Sequence, residues 1–261
     1  LEKKIQESIN SFKIEPTKVG DEAYRFVLEG QDRVHGIAAI RARVGGFEPS
    51  YSYEIKKARH ACKDLDVDQE VEYLELCKDH SGPSIISSIF VSPEMRGQKL
   101  GKYLSQAIFL FMADHSHRFT ENVIAEMRGV INEEGKCSFW ESTVRHFFDM
   151  DYDKSDYLSA KDKGFIADLM PHYPIYVPLL RDEAIAVISQ VHQITLPAMK
   201  FLEIEGFAKD GHVDIFDAGP RIQAKIADIK TVKNSKKYKV AIGEVDTGQE
   251  YLISNTLLDY R

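Results

Sequence analysis

The chain has 261 residues, 43% of them hydrophobic, and a formal net charge of −7 at pH 7. That length and apolar share suit one large domain, or a domain with an appendage, and exclude a disordered chain. The acidic balance argues against a nucleic-acid partner, whose phosphates need compensating cations, and it suits a cationic substrate.

The longest apolar runs, such as Ile85–Val91, are far too short to span a bilayer, so no membrane association is expected. No basic-then-apolar leader opens the chain, and Leu1 enters directly into a helical pattern, so an N-terminal piece is expected to be missing. The three cysteines, Cys62, Cys77 and Cys137, are odd in number and show no CxxC spacing. They read as reduced thiols of a cytoplasmic protein, with no zinc site or other metal expected.

In chain order, Leu1–Phe12 is an amphipathic helix. Ala23–Leu28 and Arg33–Val44 are strands joined by the turn Glu29–Asp32. Tyr51–Asp66 is mixed, and Val71–Leu76 is a short alternating strand. After the turn Asp79–Pro83 comes the strand Ser84–Val91, ended by Ser92-Pro93. A long helix then carries Leu100, Leu104, Ala107, Ile108 and Phe111 on one face. Asn122–Gly129 is a strand, and Phe139–Phe148, Ser155–Met170 and Asp182–Val191 are helical. Leu196–Glu205 is a helix stopped by Gly206. His212–Phe216 is a strand, and Ala218-Gly219-Pro220 breaks the chain. The tail from Ile222 reads as a short helix followed by strands around Gly243 and Gly248. Strands and helices are interspersed, so the class is α/β or α+β with a mixed sheet.

The segment richest in chemistry is Arg96-Gly97-Gln98-Lys99-Leu100-Gly101, between an apolar strand and a long helix. A helix's first turn presents unpaired N–H groups and the positive end of its dipole, so a pyrophosphate fits there. Gly97 lets the backbone approach a ligand closely, and Arg96 and Lys99 add charge. Neither a Walker loop nor a GxGxxG fingerprint is present.

This loop, together with the later helix running into Gly206-Phe207 and the strand after it, resembles the GNAT acyltransferase superfamily. The resemblance implies a GNAT-like fold in which the loop binds coenzyme A. Lys99 departs from the R/Q-x-x-G-x-G/A pattern at its first glycine, while Gly101 matches the second. The stretch between Gly101 and Gly206 is unusually long and implies a large insertion, at about 130–190. A more specific series runs through it and beyond: Val123–Val130 (VIAEMRGV), Ser138–Glu141 (SFWE), Phe147–Asp151 (FFDMD), Phe165–Pro171 (FIADLMP), Gln190-Val191-His192 and Val213–Pro220 (VDIFDAGP). This series resembles the arginine N-succinyltransferase family over most of the chain. It implies a GNAT-like domain over residues 1–220 and a small extension over 221–261. It also implies transfer of succinyl from succinyl-CoA to the α-amine of L-arginine, with no permanently bound cofactor. By the same resemblance His192 is the active-site histidine and Ile89 contacts succinyl-CoA, alongside Arg96, Gly97, Gln98, Lys99, Leu100 and Gly101. The oxyanion donor is expected to be a backbone N–H near Ile89.

A thioester is activated enough for direct attack by a neutral amine, so no covalent intermediate is needed. A guanidinium is always protonated and has no free lone pair, which selects the α-amine. His192 can take up the amine's proton or protonate the thiolate; otherwise it caps the end of the preceding helix. Glu126 is the second candidate base, or else the ion-pair partner of Arg128 on the same strand face. Glu141, Asp149 and Asp217 are candidates for the guanidinium, and Arg128 and Arg145 for the α-carboxylate. Three other readings stand beside this one: an acyltransferase for ornithine or another small amine, one for protein lysines, and a non-catalytic acyl-CoA-binding subunit. A homodimer, or a heterodimer with a related subunit, is compatible with all of them.

Overall fold

The computed structural model describes residues 2–30, 33–46, 49–159, 164–243, 248 and 251–258. Its elements in chain order are α1 (Glu2–Lys13), β1 (Ala23–Glu29), β2 (Val34–Arg41), β3 (Ser50–Cys62), β4 (Val67–Asp79), β5 (Ser84–Val91), α2 (Leu100–Asp114) and β6 (Asn122–Glu126). Four short helices follow: α3 (Ser138–Ser142), α4 (Arg145–Phe148), α5 (Tyr152–Ser159) and α6 (Gly164–Leu169). The remainder is β7 (Ile175–Tyr176), α7 (Asp182–Ile185), α8 (Leu196–Glu205), β8 (Ala208–Val213), β9 (Pro220–Lys225) and α9 (Lys230–Asn234).

The described strands form one mixed sheet in the order β1-β2-β5-β6-β9-β8-β3-β4-β7. Only β5 and β6 run parallel; the other pairs are antiparallel. The mixed α/β class expected from the sequence is therefore the one observed.

Apolar periodicity decides how α2 packs. Ile108, Phe109, Phe111 and Met112 are fully buried between β1, β2, β6, α8 and β9. Each such side chain contributes on the order of 1.5–3 kcal/mol before entropy is counted. Phe12 of α1 closes this core edge-on against Tyr24, Phe26 and Phe111. A second core gathers the helices between β6 and β7 around Trp140, which packs on Phe148, Tyr152 and Phe216.

Several elements differ from the sequence reading. The mixed stretch after Tyr51 is strand β3, paired with β4 along its whole length. Past Ile55 one face of this ribbon is lined by Lys57, Arg59, Asp68, Glu70 and Glu72, so it reads as plain surface; Lys57 reaches Glu70 at 2.8 Å and Arg59 bonds Asp68. The helix expected over Asp182–Val191 stops at Ile185. Ile222, read as helical, lies inside β9, which pairs with both β6 and β8. Gly219-Pro220 looks like a breaker, yet proline is tolerated as a strand's first residue, and that is where Pro220 sits. Among the described residues no strand follows β9. Residues 244–247 and 249–250, around the expected strands at Gly243 and Gly248, lie outside the described set.

Candidate active site

The parallel β5–β6 ladder is short, with Ser84, Ile85 and Ile86 pairing with Val123, Ile124 and Ala125 before it stops. Beyond Ile86, β5 leaves its regular register with β2 as well, between Ile37 and Ala39. An extra residue at Ser88, with φ 55°, makes a β-bulge there. A wedge therefore opens between the carboxyl ends of β5 and β6. Ile89 stands at the bulge, half-buried against the main core, where the ladder to β6 no longer uses the backbone of β5.

At the end of β5 the chain turns through Pro93–Met95, takes φ 82° at Gly97 and 61° at Lys99, and enters α2. Lys99 is the N-cap in the left-handed region and supplies no side-chain cap. The first amides of α2 thus have no side-chain acceptor at the cap and face outward at the positive end of a 15-residue helix. Here Lys99 adopts the conformation that a motif glycine would supply. A Cβ on Gly101 would meet only Val91, at 3.9 Å. The space above Gly101 is therefore not needed for packing. Arg96 folds back, with Nε donating to the Val91 carbonyl at 3.2 Å and the guanidinium 5.9 Å from the centre of the Phe90 ring. Gln98 and Leu100 complete the turn; Gln98 is exposed and Leu100 half-buried.

His192 docks on the segment that follows β6. Its N–H donates to the Arg128 carbonyl at 2.9 Å. Arg128 lies two residues past Glu126, the last residue of β6. The His192 carbonyl accepts from the Thr195 N–H at 2.9 Å, the Leu196 N–H at 3.1 Å and the Thr195 hydroxyl at 3.0 Å. These bonds anchor the loop to the start of α8. The ring Nδ1 accepts the Ile194 N–H at 3.1 Å. Neutral His192 therefore carries its proton on Nε2. A helix carboxyl-end cap is excluded, since α7 ends at Ile185 and His192 instead precedes α8.

Asp217, named from sequence as a possible guanidinium contact, is only 5% exposed and is fully engaged. Its carboxylate accepts the Gly129 N–H at 2.9 Å, the Gly219 N–H at 2.8 Å and the Tyr152 hydroxyl at 3.3 Å. Burial, then the nearby Asp214 charge, push its pKa up to about 7 against those three donors. Both glycines are required: a Cβ on Gly129 would lie 2.2 Å from the Asp217 carbonyl, and one on Gly219 would lie 2.0 Å from that of Met127. The Ala218 carbonyl also receives the Ser189 N–H at 2.9 Å. This knot ties together the end of β6, the β8–β9 connection, α5 and the loop that carries His192. Sequence reading missed it; the pairing of Gly129 with Asp217-Ala218-Gly219 was its only trace.

The other candidates separate. Glu141 and Arg145 pair with each other at 2.6 Å, and Arg145 also meets Asp151 at 3.2 Å. Asp149, exposed, closes α4 in the left-handed region with φ 47°. Glu126 and Arg128 are both exposed on the strand end beside His192. Glu126 stands in register with Arg221, whose guanidinium bonds Asp210 at 2.7 Å.

Comparisons with known proteins identify the family of the chain. The family model described as arginine N-succinyltransferase beta subunit matches residues 1–231. Arginine N-succinyltransferase from Yersinia enterocolitica is 42% identical over 98% of this chain and 75% of its own length. The subunit beta of that enzyme from Pseudomonas aeruginosa is 44% identical over 90% of this chain and 70% of its own. The solved structure of arginine/ornithine succinyltransferase subunit AI from Pseudomonas aeruginosa superposes with a TM-score of 0.89 at 36% identity, covering 99% of this chain and 76% of that one. With a shared fold and near-complete coverage at this identity, the chain belongs to the arginine N-succinyltransferase family.

Proposed function

We propose that this protein transfers the succinyl group of succinyl-CoA to the α-amine of L-arginine. The observation that carries this reading is the parting of β5 from β6, with the amino end of α2 following β5 and His192 docked on the segment that follows β6, in a chain of this family. The pyrophosphate of succinyl-CoA binds at Arg96–Gly101, and the pantetheine arm enters the wedge past Ile89. The α-amine attacks the thioester carbonyl, a C–N bond forms, the C–S bond breaks and the thiolate takes up a proton. Backbone N–H groups near the Ser88 bulge receive the oxyanion.

With Nδ1 already accepting a hydrogen bond, neutral His192 offers Nε2–H as a donor to the developing oxyanion or to the leaving thiolate. The amine's proton then needs another acceptor, and Glu126 at the end of β6 is the carboxylate nearest in sequence to the Arg128 carbonyl that holds His192. Arg128 takes the substrate α-carboxylate. Succinyl-CoA is a co-substrate, and no permanently bound cofactor takes part. Among the described residues no helix is long and apolar enough to cross a membrane. Work in the cytoplasm, as part of a homodimer or a heterodimer with a related subunit, completes the reading.

The test is turnover of succinyl-CoA with a panel of free amino acids and lysine peptides. Succinylarginine as the main product supports the reading. Turnover on peptides alone, or coenzyme A binding without turnover, refutes it.

A further inference from the structure

The sheet has one weak seam. β8 meets β3 through only two residue pairs, Tyr53 with Val213 and Glu54 with His212, whereas β3 and β4 pair along their whole length. The β3–β4–β7 part of the sheet joins the rest across this seam. On one face of it stand Glu54 of β3, Cys77 of β4 and His212 of β8, each half-buried, with ligand atoms all within 4.8 Å of one another. Register explains the meeting: Glu54 faces His212 on one side, and Cys77 lies two positions from Glu75, which faces Glu54 on the other. The Cys77 thiol already points at the Glu54 carboxylate, 3.9 Å away.

We propose that Glu54, Cys77 and His212 bind a divalent cation of the zinc class, which clips the β3–β4 ribbon onto β8. One thiolate, one imidazole and one carboxylate form a ligand set that suits a borderline transition-metal ion and leaves a fourth position for water. The outer contacts fit as well. His212 Nδ1 lies 3.4 Å from Asp210 Oδ1, which leaves Nε2 for the metal. Asp210 is held in turn by Arg221 at 2.7 Å. A carboxylate behind the imidazole is the usual support of a metal-bound histidine.

Lys56 is the competing cation, bridging Glu54 at 3.1 Å and Glu75. On metal binding the Cys77 thiol loses its proton, so Glu54 and Cys77 together neutralise the ion, while Lys56 keeps Glu75. Sequence reading expected no metal because the three ligands come from three separate strands and leave no spacing motif.

The test is a Co²⁺ titration of tag-free protein, followed by absorption, with Zn²⁺ competition. One equivalent should bind with a thiolate-to-cobalt band in the near ultraviolet, Zn²⁺ should abolish the band, and the metal should raise Tm. Cys77→Ser should remove the band and the Tm rise. Asp210→Asn should weaken binding about 10- to 100-fold, as loss of an outer-shell carboxylate does. Absence of the band in the wild type overturns the proposal. So does a band that survives in Cys77→Ser, since the thiolate would then be Cys62 or Cys137. If Cys77→Ser does not fold, Glu54→Gln and His212→Gln decide: unchanged cobalt affinity in both overturns it.

Discussion

Asp217→Asn probes the knot that fixes the end of β6. The native carboxylate accepts two backbone N–H groups and the Tyr152 hydroxyl. An asparagine keeps one acceptor oxygen and turns an NH₂ toward a donor, which leaves at least one buried N–H without a partner. That loss costs about 1–3 kcal/mol. A pH-dependent effect acts in the opposite direction. The folded protein holds the Asp217 proton up to about pH 7, whereas the unfolded chain releases it near 3.8, the ordinary value for an aspartate. Between those values the folded state binds more protons, so stability falls as pH rises through the window and levels off above it. At about 1.4 kcal/mol per pH unit, the wild type loses on the order of 4 kcal/mol through this group across that window. The asparagine variant lacks that slope. Urea unfolding of both proteins from pH 4.5 to 8 should show the variant much less stable at the acid end, with the difference shrinking or reversing at pH 8. Parallel curves would refute the reasoning and place a permanently ionised or permanently neutral group at Asp217. In folded variant, kcat should fall about 10- to 100-fold, because the displaced Arg128 carbonyl no longer seats His192.

Further expectations concern the chemistry directly. His192→Ala should lower kcat on the order of 10²- to 10⁴-fold and change succinyl-CoA affinity little, measured by steady-state kinetics and calorimetry; a loss of Tm with undiminished kcat would rule out a catalytic role. Gly101→Ala should leave thermal stability equal or higher, since the methyl group fits and alanine favours the helix, while Gly101→Val weakens coenzyme A binding sharply. Unchanged affinity in the valine variant would put the phosphates elsewhere. Succinyl-CoA should exceed acetyl-CoA in kcat/KM by about 10⁴-fold, the range for a site built around a polar group that one donor lacks. Comparable values would remove the succinyl assignment.

What the sequence showed depended on whether the information was local. The phosphate turn is local: an apolar strand, a short basic loop and an apolar helical face lie consecutively from Ser84 to Phe111, and the structure places each of them as read. The β3–β4 ribbon is not, because its outer half is formed by cross-strand pairing of charged residues that look like plain surface when the strands are read singly. Strand β9 was hidden for another reason. Its first residue is a proline and its preceding residue a glycine, so local rules end the chain's order where the sheet in fact continues.

His192 shows how the two kinds of information combine. A histidine after an apolar helical pattern has nothing to mark it, and the helix expected to end beside it stops at Ile185. Its position is set by the Arg128 carbonyl just past β6, and that segment is set in turn by Asp217 and two glycines far apart in sequence. The tautomer follows from one further bond, to the Ile194 N–H. An imidazole fixed in this way on neutral protein is a donor at Nε2, so acid and base duties divide between two side chains: the histidine answers charge that develops on oxygen or sulfur, and a carboxylate receives the proton leaving nitrogen. That division predicts unequal rescue. A donor at position 192, as in His192→Asn or His192→Gln, should restore more activity than Ala, whereas no neutral side chain at Glu126 should restore the proton acceptor. If Glu126→Gln keeps full kcat while His192→Gln is as inactive as His192→Ala, the histidine is the base and the Nδ1 bond must break during turnover.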